Sequence, residues 1–125
     1  MKNRTTFRCC ILAMLLFASS AHAQQNRLAE IPARERAQLQ TQRMKESLRL
    51  DSAQLVKVDS INLSYAHKMD PVLTGSGNRL SKYRAFQEIN AAREKELQQV
   101  LSPGQFRQYK QQQQEMKQQL RKRRS

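Results

Sequence analysis

Leu50-Asp51-Ser52-Ala53-Gln54 and Leu101-Ser102-Pro103-Gly104-Gln105 share one pattern: Leu, a short polar residue, two variable residues, then Gln. The spacing is that of a helix start. The short polar residue is the N-cap, whose side-chain oxygen accepts from a free backbone N–H of the first turn. The Gln three positions on reaches back to the N–H of the cap and closes a capping box. Leu50 and Leu101 then precede the caps, and Leu55 and Phe106 lie one turn inside the helices, as a hydrophobic staple requires. Pro103 falls at the first helical position, where its missing N–H costs nothing. Each pattern is therefore a corner between two helices.

The segments around the corners are helical in period. Pro32 suits a helix start, and the first helix runs from there to about Leu48 with a narrow apolar stripe of Ala33, Ala37, Met44 and Leu48. Leu55, Val58, Ile61, Tyr65 and Met69 step by three and four through a second helix, 52–69, which Pro71 ends or kinks. Thr74-Gly75-Ser76-Gly77-Asn78 is the clearest break, and Asn78 can cap a third helix over 79–100. Phe106, Tyr109, Gln113, Met116 and Leu120 form a heptad seam with one polar interruption on the fourth helix. The stretch 24–30 reads as a flexible N-terminus and the basic run 121–125 as a frayed tail. No segment alternates with period two. The expected fold is all-α: four helices in two capped helix-corner-helix units, an elongated bent hairpin.

The paired corners resemble the Leu-Thr-x-x-Gln signatures of the Spy/CpxP family of periplasmic stress proteins, the LTXXQ-motif family. Asp51 and Ser102 stand where that family usually has Thr, and Gly104 replaces a common acidic residue. The resemblance runs from about Arg34 to Leu120. It implies a homodimeric cradle and an ATP-independent chaperone that binds unfolded envelope proteins. The alternative it implies is a regulator of the CpxP type, which binds and damps an envelope stress sensor.

The N-terminus fits export. Lys2, Arg4 and Arg8 precede an apolar run, and Ala21-His22-Ala23 is a small-x-small cleavage site. The expectation is a signal peptide over 1–23, a single domain over 24–125 and a periplasmic location. Both cysteines, Cys9 and Cys10, leave with the signal, and loss of three basic residues takes the formal net charge from +13 to +10. A lone domain of about 100 residues is marginal in stability, which favours a dimer. The seam on the fourth helix is expected to lack a partner within one chain.

No nucleophile–base–orienter set is present, so the chain does not read as an enzyme. His67 and Asp70 are spaced to pair along one helix, and the plain reading is an exposed histidine. Past residue 23, His67 is the only Cys or His, too few for a structural metal site, and no cofactor is expected. A basic surface commonly signals nucleic acid, but export argues against that partner. The charge then reads either as a solvated face or as an attractor for unfolded or acidic polypeptide, or for anionic envelope lipid. Composition places client contacts on the first and third helices at Arg43, Met44, Arg49, Lys82, Tyr83 and Phe86.

Overall fold

A computed structural model describes residues 27–124, and every element among them is helical. The proposed signal peptide lies outside the described residues. The helices are α1 (Arg27–Glu30), α2 (Ala33–Leu48), α3 (Ser52–Thr74), α4 (Arg79–Val100) and α5 (Pro103–Arg124). The fold class is all-α as expected, with five helices among the described residues rather than four. The additional one, α1, is a single turn within the stretch expected to be flexible. The basic tail also differs from expectation, because α5 runs through to Arg124 instead of fraying at 121.

From residue 31 onward the helices form one compact unit. The helices α2 and α3 pack antiparallel, as do α3 and α4, and α5 lies against α2 and α4. The core gathers Met44 and Leu48 from α2, Val58, Ile61 and Tyr65 from α3, Leu97 from α4 and Tyr109 from α5. Leu50 and Leu101, the first residues of the two corner patterns, complete it. Val58 and Leu97 are fully buried. Asn62 is buried beside them and donates to Thr41 Oγ1 at 3.1 Å, fixing the register of α2 on α3 with a polar contact. Arg36 ties the far end of the same pair. It donates to the carbonyls of Ile31 and Ala66, at 2.7 and 3.0 Å, and pairs with Asp70.

Pro71 does not end α3, which continues to Thr74. A proline deprives the carbonyl four residues earlier of its donor. Here that residue is His67, on the solvent face, and the helix has only three residues left to run. The last turn is rebuilt locally. Thr74 Oγ1 donates to the Asp70 carbonyl at 2.9 Å, and the Gly75 N–H donates to the Pro71 carbonyl at 2.9 Å. A Cβ on residue 75 would collide with that same oxygen, so glycine is required there by close approach. Asn78 caps α4 by accepting from the Ser81 N–H at 2.8 Å.

The seam expected to await a second copy is partly used within the chain. Tyr109 is buried in the core, and Phe106 packs against that core 6.1 Å from the Tyr109 ring centroid. Met116 and Leu120, farther along, remain about half exposed.

Candidate functional site

Both capping boxes form. Asp51 Oδ1 accepts from the Gln54 N–H at 2.7 Å, and Gln54 Oε1 accepts from the Asp51 N–H at 3.2 Å. Ser102 Oγ accepts from the Gln105 N–H at 3.2 Å, and Gln105 Oε1 accepts from the Ser102 N–H at 2.9 Å. The two glutamines do more than cap. Gln54 Nε2 donates to Gln105 Oε1 at 2.7 Å, and Gln105 Nε2 donates back to Gln54 Oε1 at 3.1 Å. Each amide also donates to the last carbonyl of the helix entering the opposite corner. Gln54 reaches Val100 at 3.2 Å and Gln105 reaches Leu48 at 3.1 Å. The corners are thus clasped to each other, and both side-chain amides are fully engaged.

The two corners are not identical. Arg49, between α2 and the Asp51 cap, takes the left-handed conformation at φ 52° and ψ 54°. A residue with a Cβ adopts it at a cost of roughly 1 kcal/mol. The Leu50 N–H donates back to the Lys45 carbonyl at 3.3 Å, the long bond of a Schellman closure. The second corner turns with Leu101 alone, in extended conformation.

A second set of polar contacts secures α4. Arg93 donates to Gln40 Oε1 on α2 at 2.8 Å and to Tyr109 Oη on α5 at 3.1 Å. Lys110 Nζ meets Glu94 Oε2 at 2.6 Å. Tyr65 donates to Glu96 Oε1 at 2.6 Å, and Lys68 Nζ lies 4.2 Å from the Tyr65 ring centroid. The bond to Glu96, then burial, then the Glu96 charge hold the Tyr65 phenol above the usual tyrosine range. The folded chain therefore keeps this proton more tightly than the unfolded one. Its stabilising contribution is complete below about pH 10 and is lost as pH rises through the folded value. Melting curves across about pH 9–12 check this. Tyr65→Phe should lose stability less steeply with rising pH than the parent, and parallel curves would contradict the assignment.

The six residues placed at a client surface separate on folding. Tyr83 and Phe86 are 60% and 45% exposed on α4, and Lys82 beside them is half-buried. Arg43 and Arg49 are exposed. Met44 is not available to a client: it is 5% exposed, inside the core, with its sulfur 3.6 Å from Asn62 Nδ2. Its place on the inner stripe of α2 explains this, because Ala37, Thr41, Met44 and Leu48 all turn toward α3. Composition overlooked Leu80, 58% exposed one turn before Tyr83, and the exposed Met116 and Leu120 of α5. It also overlooked the bridging roles of Arg36 and Arg93. The i, i+3 spacing of Leu80, Tyr83 and Phe86 was the available signal for the stripe.

His67 is 63% exposed in its side chain, with Nδ1 3.7 Å from Asp70, whose carboxylate is engaged by Arg36. Among the described residues no three His, Cys, Asp or Glu side chains gather into a metal-sized cluster. No described helix is long and apolar enough to cross a membrane.

Fold and surface together define a small helical protein with a clasped double corner and an exposed, cation-flanked apolar face. The chain belongs to the family described as a domain of unknown function, DUF4890, which matches residues 20–109 and so takes in both corner motifs. No curated protein and no solved structure matches the chain.

Proposed function

We propose that this protein is an exported, ATP-independent chaperone that binds unfolding envelope proteins in the periplasm and limits their aggregation. The observation that carries the reading is the exposure of Leu80, Tyr83 and Phe86 on one stripe of α4, among Arg79, Lys82 and Arg84. Long-range attraction by cations brings a client near, and a small apolar contact holds it briefly, since residence is set mainly by dissociation. The resemblance of the paired corners to the LTXXQ motif supports the same assignment. A homodimer belongs to the proposal on that resemblance.

Light scattering of an unrelated denaturing client tests the reading. The protein at stoichiometric excess should suppress scattering without ATP. Suppression should weaken as salt shortens the screening length from about 10 Å at 0.1 M toward about 3 Å at 1 M. Reversing Arg43, Arg49 and Lys82 to Glu should slow capture, while Tyr83→Ala and Phe86→Ala should mainly speed release. No suppression, together with tight binding to one envelope sensor domain, would replace the chaperone by a regulator.

A further inference from the structure

Two contacts define which faces of α4 and α5 meet. Arg93 donates to Tyr109 at 3.1 Å, and Lys110 meets Glu94 at 2.6 Å. On an α-helix, residues 7, 11 or 14 positions apart return to within about 40° of the same face. Moving back along α4 from Arg93 and Glu94, those steps reach Phe86, Tyr83 and Leu80. Moving forward along α5 from Tyr109, they reach Met116 and Leu120. In a hairpin closed along its whole length these five side chains would cover one another. They are instead 45%, 60%, 58%, 49% and 52% exposed, in the order just given. From residue 114 to 123 every side chain of α5 is exposed. The pair is closed near its corner and open beyond it.

The two open halves carry net charge of one sign. The closed part brings a lysine to a glutamate. Beyond it, α4 carries Arg79, Lys82 and Arg84 against the single acid Glu88. The facing half of α5 carries Lys117, Lys122 and Arg123, with Arg121, against the single acid Glu115. Closing the hairpin would lay one cationic row upon another. Like charges at close range oppose the burial that the apolar stripe would otherwise favour.

We propose that the gap between the N-terminal half of α4 and the C-terminal half of α5 is a docking site for an acidic, amphipathic polypeptide segment. Its apolar face would meet Tyr83, Phe86, Met116 and their neighbours. Its carboxylates would lie between the two cationic rows and remove the repulsion that holds the gap open. A second copy is a poor occupant, because either of its matching helices would add further cations. The proposal rests on the chaperone reading and deepens it by naming the client chemistry, acidic and amphipathic rather than any unfolded chain.

Fluorescence anisotropy with the full-length protein tests this. The probe is a labelled helical peptide with Glu on one face and Leu on the other. Controls are the same composition scrambled, and the same peptide with Lys for Glu. Phe86→Ala with Met116→Ala, and separately Arg84→Glu with Lys117→Glu, should each weaken binding about tenfold or more, whereas Lys57→Glu on α3 should change it by less than about twofold. All substituted positions are exposed, and circular dichroism of each variant checks that it folds. Equal binding of the scrambled peptide, or an equal loss with Lys57→Glu, overturns the site in favour of diffuse charge attraction. Binding of phosphatidylglycerol vesicles with the same variant dependence, and none of the peptide, overturns it in favour of a lipid surface. A dimer that dissociates with Phe86→Ala and Met116→Ala overturns it in favour of a second copy. Peptide binding at the gap without suppression of aggregation upholds the site and removes the chaperone reading. Suppression that survives both gap variants, with peptide binding unchanged in them, upholds the chaperone reading and overturns the site.

Discussion

Replacing Gln105 by Glu will destabilise the protein by about 1–2 kcal/mol at neutral pH, although a capping box accepts Glu as readily as Gln. The introduced carboxylate can still accept from the Ser102 N–H. It cannot donate, so the Leu48 carbonyl and Gln54 Oε1 both lose the amide that stands 3.1 Å from each of them. Gln105→Ala removes the box as well and should cost about 2–3 kcal/mol, a cap contact plus the cross-corner bonds. Gln54→Ala breaks the same clasp from the other side. The double Ala variant should therefore fall short of the summed single losses by about 1 kcal/mol, since the shared bonds are lost only once. Urea titrations followed by circular dichroism supply these values. Strict additivity, together with a neutral Gln105→Glu, would reduce the feature to two independent caps. Acidification gives a further check. Protonating the introduced carboxyl group restores a donor, so the deficit of Gln105→Glu should shrink at low pH.

Leu97→Ala will produce the largest single loss expected here, about 2–5 kcal/mol. Leu97 is fully buried at the point where α3, α4 and the second corner meet, within the cluster that includes Val58, Tyr65 and Leu101. Deleting its isobutyl group removes transfer energy and leaves a void that helices fixed by Arg93 and Tyr65 are poorly placed to close. In a domain near 100 residues, each kcal/mol moves the melting temperature by about 4–8 °C, so a drop on the order of 8–40 °C is expected. Leu80→Ala, on an exposed position of the same helix, should shift it little. A loss below about 1 kcal/mol for Leu97→Ala would mean that the site relaxes around the deletion.

The local features were legible in the sequence and the long-range ones were not. Capping is decided within four residues, so Asp51, Gln54, Ser102 and Gln105 could be read directly, as could the Asn78 cap. The helix end expected near Met69 came too early, because the cost of Pro71 depends on how much helix follows, and only three residues do. Met44 misled because α2 is so polar that its few apolar residues looked like contacts, when scarcity is the reason the core needs them. The clasp joins residues 51 positions apart through amides that were already explained by their own corners, so nothing local asked for a second partner. Leu80, Met116 and Leu120 stood in plain helical register. Their exposure depends on where α4 and α5 part, and the charges on facing helices become comparable only once the register is known.

The clasp also has a consequence in time. The α2–α3 and α3–α4 pairs join neighbours in the chain, so their loops close early and at modest entropic cost. The Gln54–Gln105 contact needs both of those pairs and the first turns of α5 in place before either amide finds its opposite. It is therefore expected among the last interactions to form, after the transition state is passed. Loss of either glutamine should then leave the folding rate nearly unchanged and appear in the unfolding rate. The duplicated motif acts as a latch, setting how long the finished fold persists rather than how quickly it is reached.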